Sequence, residues 1–296
     1  ATLPSITLVG GGGSGAVVNP TLSVVGLVLT TTGSGFSTST APTVTFGSNA
    51  GGTGASAVAS TAGTGFGVAN TLTVRAGAGI AQPDGPITAG GAVTLTDDSA
   101  TGITLANTLN NLVGPITATS GGSITINNNN FSQLGNISAG VDLTIGSTQS
   151  IYQSTPGNAL TVGGVSRFYA TANALNTGTP NGAVILNNLG NAFTGPVEAI
   201  GTRVVIRNSG PLNLGAVTAS TSLTATSTGN FTQSGAINVT GTGASAINAT
   251  GTVTLSQNSS FGGDLSVIST AAGPATTINQ ASGVLTVTGS STFTAA

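Results

Sequence analysis

The 296-residue chain carries four arginines, six acidic residues, no lysine, no histidine and no cysteine, for a net charge of −2. These absences exclude triads built on a histidine base, cysteine nucleophiles, and zinc sites with imidazole or thiolate ligands. They also leave no electrostatic footprint for nucleic acid or an anionic membrane surface.

The opening block, residues 1–75, is a Gly/Thr-rich β repeat. Pro4-Ser5-Ile6-Thr7-Leu8 followed by Gly13-Ser14-Gly15-Ala16 recurs as Pro42-Thr43-Val44-Thr45-Phe46 followed by Gly52-Thr53-Gly54-Ala55. Gly33-Ser34-Gly35-Phe36 returns as Gly63-Thr64-Gly65-Phe66. Gly10 to Gly13 and Gly51-Gly52 are followed by neither a lysine nor a helix, so they read as turns and not phosphate loops. The run from Leu22 to Leu29 is too short to cross a bilayer as a helix. An outer-membrane barrel is disfavoured by the lack of aromatic girdles, with nine Phe, two Tyr and no Trp. The sequence opens at Ala1 without a methionine and shows no basic region followed by an apolar core, as expected of a mature chain or a fragment.

Over residues 76–296 the period lengthens to two copies of a unit of about 80 residues and a shortened third. Gly114-Pro115-Ile116-Thr117-Ala118 is echoed by Gly195-Pro196-Val197-Glu198-Ala199, and Gln153-Ser154 by Gln233-Ser234. The third copy opens with Val253-Thr254-Leu255 and Phe261-Gly262-Gly263, matching Val184-Ile185-Leu186 and Phe193-Thr194-Gly195. Inside each copy, short alternating segments such as Val93-Thr94-Leu95-Thr96 recur at steps of about ten residues, separated by Gly, Asn, Ser and Pro. Alternation puts Val93 and Leu95 on one side and the threonines on the other. No window holds a helical apolar stripe. Positive mean hydropathy and abundant Val, Ile and Thr mark a folded chain. With no disulfide framework, its stability must come from backbone ladders and apolar stacking.

The predicted fold class is all-β: a parallel β-helix (β-solenoid) with short strands and Gly/Asn-rich turns, plus the N-terminal β-rich block. Rungs of about 20 residues spaced about 4.8 Å apart would make residues 80–296 a rod on the order of 50 Å long. Asn110-Asn111, Asn127 to Asn130 and Asn187-Asn188 are predicted at rung corners, in left-handed backbone and with amides bonded between rungs.

Candidate chemistry is sparse. Asp97-Asp98 is the one adjacent acidic pair, predicted to project to different sides and to be a solvated turn. Asp142, Glu198 and Asp264 do not occupy matching repeat positions, which argues against a repeated calcium site. Arg203 and Arg207, separated by an even number, share one face of a strand and read as a solvated outer surface. The sequons at Asn130, Asn136, Asn230, Asn238, Asn248 and Asn258 are expected by chance in so Asn- and Thr-rich a chain. The Thr-x-Thr pairs, such as Thr94 with Thr96, are irregularly spaced for an ice-binding ladder. Tyr152, Tyr169 and most Phe residues fall near repeat-equivalent positions and are expected to stack in the core. No catalytic, cofactor-binding or metal-binding residue is nominated.

Asn191-Ala192-Phe193-Thr194-Gly195-Pro196-Val197, Leu212-Asn213-Leu214-Gly215-Ala216-Val217-Thr218-Ala219 and Gly229-Asn230-Phe231-Thr232-Gln233-Ser234-Gly235 carry a resemblance. The pattern resembles the repeats of filamentous-haemagglutinin-like and related β-strand-repeat surface proteins of bacteria, over nearly three quarters of the chain. That resemblance implies an exported protein with a right-handed parallel β-helix shaft, although the N-terminal secretion domain of that pattern is not in this sequence. The first 75 residues resemble glycine-rich repeats of phage fibre and bacterial surface proteins. Together these readings predict a non-enzymatic extracellular structural protein, a segment of a surface fibre, sheath, biofilm matrix or adhesin shaft. Its expected partner is itself, as a homopolymer or lateral bundle. The alternative is a monomeric module binding cell-surface or matrix glycans.

Overall fold

The computed structural model describes residues 71–82, 85–153, 157–270 and 277–295 in full, and the backbone of six short strands before them. Two of those six, Ile6–Val9 and Thr43–Phe46, are the echoing segments of the opening block, and they pair with each other antiparallel. The predicted turns at Gly10 to Gly13 and Gly51-Gly52 lie outside the described residues.

From Phe66–Val68 onward every strand pairing is parallel, and the chain winds as a β-solenoid of about nine turns. Each turn has three strands, so the coil has three faces. On the first, Leu72, Val93 and Ile116 stand in register one rung apart. On the second, Ile80, Ile103, Ile124 and Leu143 do the same, and on the third Ile151, Val184, Val204 and Leu223. The sequence reading implied two segments per turn. It overlooked links such as Asn111–Leu112 and Ala192–Phe193, which are too short to show alternation.

Alternation fixes which side of each strand is core. Val93–Asp97 and Leu265–Ser269 bury every second residue. The inward Ile, Val and Leu of all three faces form one continuous cluster with Phe168, Phe193, Phe231 and Phe261. Each such side chain contributes on the order of 1.5–3 kcal/mol by leaving water. The outward side is threonine-rich: Thr104, Thr125 and Thr144 form one column, and Thr73, Thr94 and Thr117 another. Rungs of unequal length absorb the irregular sequence spacing of these threonines, so it is not irregular in space. Arg167 takes the next place in the first of these columns, and Arg75 stands in register with Thr96 beside the second.

The repeat and the turn are not commensurate. Ile116 lies on the first face, its equivalent Val197 on the second and Leu265 on the third. A repeat therefore takes three turns and a third, and successive repeats are rotated by one third of a turn. The middle repeat is longer because residues 171–183 leave the coil between Ser166–Ala170 and Val184–Leu186. That excursion is held by Thr171, whose Oγ1 donates to the Leu175 carbonyl at 2.8 Å. It contains Ala174, buried and with φ of 59°, a left-handed backbone that costs a non-glycine residue about 1 kcal/mol.

Asn110, Asn127 and Asn128 are at corners as expected, but no described asparagine has left-handed backbone. The corners turn instead at glycines packed against the rung before. Gly114, Gly195 and Gly263, equivalent in the three repeats, each face backbone so closely that a Cβ would overlap it; at Gly195 the obstacle is the Gly164 carbonyl. Gly195→Ala is expected to lower stability by about 1–3 kcal/mol, as overpacking against an immovable backbone does, read as a shift in the denaturant midpoint.

Candidate functional site

Polar side chains that point inward are the first group to account for, because each needs partners the apolar core cannot give. They form a recurring device. Gln82 and Asn110 pair amide to amide, with Gln82 Nε2 donating to Asn110 Oδ1 at 2.7 Å and Asn110 Nδ2 donating back to Gln82 Oε1 at 3.0 Å. The next repeat reproduces this clasp as Gln153–Asn191, at the same 2.7 and 3.0 Å. Each asparagine also accepts a backbone N–H, from Ile87 and Leu160 respectively. In the third repeat Ser259 stands where the asparagine was. Its Oγ accepts from Gln233 Nε2 at 2.9 Å, but Gln233 Oε1 is buried with no hydrogen-bond partner.

A second device bridges two places where the backbone ladder lapses. Asn128 accepts from the Leu112 N–H at 2.9 Å and donates to its carbonyl at 3.0 Å. Asn208 does the same for Phe193, at 2.8 and 3.1 Å. Each side-chain amide thus stands in for a peptide group of the adjacent rung. The expected amide contact between rungs also occurs, from Asn130 Nδ2 to Asn111 Oδ1 at 3.3 Å.

Asp97 and Asp98 do project to different sides, yet Asp97 is not solvated. It is 3% exposed at the end of Val93–Asp97 and accepts from the hydroxyls of Ser99 and Ser120 and the N–H groups of Gly79, Ser99 and Gly102. Burial pushes its carboxyl up, but the bonds from Ser99, Ser120 and Gly102 outweigh burial and hold it well below the usual carboxylate range. Asp98 faces out and pairs with Arg75 at 2.7 Å, an exposed contact of small energetic weight.

The remaining described charges lie on the outer faces. Arg167 reaches Asp142 at 3.1 Å and Glu198 at 3.4 Å, on neighbouring rungs. Tyr169 is buried beside them, and burial first, then the Glu198 charge, raise its hydroxyl pKa. Arg203 and Arg207 do share the outward side of Val197–Asn208, as their spacing predicted. Arg207 is half-buried, and its Nε has no partner. Asp264 is exposed and makes no ion pair among the described residues; Asp84 lies outside them. No group of three or more acidic residues comes together among the described residues.

Tyr152 corrects the core-stacking expectation. Phe231 is equivalent to Ile151 and is fully buried, whereas Tyr152 is one position later and points outward. There it stacks on Phe131 at a centroid distance of 5.8 Å. A one-residue offset in a strand reverses the face. A shallow groove beside Ser259 is lined by Ile237, Asn238, Asn258, Ser260, Val284 and Thr286.

Fold and interior together define a β-solenoid repeat protein whose buried polar groups are spent on holding rungs in register. The chain belongs to the family described as Repeats of unknown function (DUF5649), which matches residues 53–119, 121–200 and 201–268. No curated protein and no solved structure matches the chain.

Restoring the missing donor to Gln233 Oε1 by Ser259→Asn, with the adjoining groove giving room, is expected to stabilise by about 1 kcal/mol, whereas Asn191→Ala costs about 2 kcal/mol, both read by denaturant unfolding. Asp97 has a folded-state pKa below its unfolded value near 3.9, so its contribution is complete above about pH 5 and is lost as pH falls through and below about 4. Asp97→Asn should therefore lower stability at neutral pH and flatten this acid-side loss; an unchanged pH profile would contradict the assignment.

Proposed function

We propose that the chain is a non-enzymatic, extracellular structural protein, a shaft segment of a surface fibre, sheath or adhesin that associates with copies of itself. The observation that carries this reading is the contrast between interior and exterior. The interior is stacked from Leu72 to Val267 and clasped at three corners, while the described exterior is nearly uncharged and rich in Thr, Ser, Asn and Ala. Surface charge normally keeps soluble rods apart. A neutral hydroxyl-rich face can lie on another at little desolvation cost. The resemblance to exported β-strand-repeat surface proteins supports the same location and use.

A second reading, a monomeric module for cell-surface or matrix glycans, draws on the outward Phe131–Tyr152 pair. Both rings are half-buried, and they form a single small patch among the described residues. The shaft reading is therefore preferred. Electron microscopy of the full chain at rising concentration is the test. Bundled rods or filaments, with a reflection near 4.8 Å along the rod axis, are expected. Separate particles at every concentration would contradict self-association and favour the glycan module.

A further inference from the structure

The third face carries two unpaired charges of opposite sign in one outward column. Arg203 is in register with Ser222, and the pairings of Thr224 with Ala246 and Ser245 with Leu265 continue that column through Ala244 to Asp264. Arg203 and Asp264 are thus three rungs apart, about 14 Å. Both are exposed. Arg203 has no side-chain partner among the described residues, and the Asp264 carboxylate accepts there only the Ser290 N–H, at 2.7 Å. The other described carboxylates are already engaged: Asp98 with Arg75, Asp142 and Glu198 with Arg167, and Asp97 within the core.

We infer that this face pairs with the same face of a second copy about a two-fold axis parallel to the strands, passing between the rungs of Ser222 and Ala244. The inference rests on the self-association proposed above and names its surface. Rotation about the strand direction reverses the order of rungs and keeps each column opposite itself. Arg203 then faces Asp264 of the second copy, twice over, and Ser222 faces Ala244. In the neighbouring columns Thr224 meets Ala246, and the stem of Arg207 lies on Ile268. Arg207, the other described arginine without an ion pair, is half-buried, so Arg203 is the exposed arginine free to meet Asp264. Such an isologous contact is closed by its own symmetry. Six rungs by one strand width cover about 500 Å² on each copy, about 1,000 Å² in all, the lower limit for a specific interface. The pair is a weak one, formed at high local concentration.

Charge reversal in the full chain tests it by sedimentation velocity. Arg203→Asp alone sets two carboxylates together at each end of the contact, and Asp264→Arg alone sets two guanidinium groups together, so each should weaken association at least about tenfold. Mixing the two variants, or combining both changes in one chain, should restore it, and raised salt should weaken the native pair. Both residues are exposed, and unchanged thermal midpoints will show that the variants fold. Association of the native chain that neither reversal affects would overturn this face while leaving self-association standing. A native chain that stays monomeric at every concentration would overturn both.

Discussion

A parallel backbone ladder repeated at about 4.8 Å is the constraint on which everything else here depends. It sets each residue directly on its counterpart one rung away, so an inward position is tolerable only if its whole column is. Apolar columns meet this condition by themselves. An inward polar group needs partners of its own: Asp97 collects five donors and Gln82 and Gln153 each face an asparagine, while Gln233 is left one donor short. The same spacing excludes a Cβ at corners such as Gly195. Stability in this chain comes from satisfying one short-range rule many times, without cysteine.

The rotation of the repeats follows from where the clasps sit. Gln82–Asn110 lies at the corner between the second and third faces, and Gln153–Asn191 at the corner between the third and first. Gln233–Ser259 lies at the corner between the first and second. Three repeats thus distribute one stiffening element over all three edges of the coil, where whole-turn repeats would have lined them along one. Side-chain arrangements on the outer surface are consequently not repeated along a face. Among the described residues the Arg167 cluster, the Phe131–Tyr152 pair and the Arg203–Asp264 column each occur once, and the excursion at 171–183 marks the middle repeat alone.

Much of this was legible in the sequence because the strand period acts locally. The all-β solenoid, the inward Val93 and Leu95, the corner asparagines and the shared face of Arg203 and Arg207 all follow from alternation and turn chemistry. What escaped depends on pairings between rungs. The Gln153–Asn191 clasp joins residues from neighbouring turns with the 171–183 excursion between them. The repeat of about 80 residues gave no hint of three turns and a third, because that excursion disguises the rung length. Tyr152 was misplaced because a match one residue out of step looks like a match in sequence and is the opposite face in a strand. Asp97 looked like half of an exposed acidic pair because its five donors come from the next corner and two other rungs. Asp264 could be set in the column of Arg203 only once the intervening registers were known.

The central claim, a three-faced coil whose repeats turn by one third, is most directly tested by spin-label distances. The chain has no cysteine, so labels can be placed singly or in pairs at will. Thr117 and Glu198 are outward neighbours of the equivalent residues Ile116 and Val197. Labelled chains diluted in unlabelled protein should show a Thr117–Glu198 distance well beyond the axial rise of one repeat, about 16 Å, because the labels leave different faces. A distance near that rise, with both labels on one face, would mean that the repeat closes in whole turns and would contradict the account.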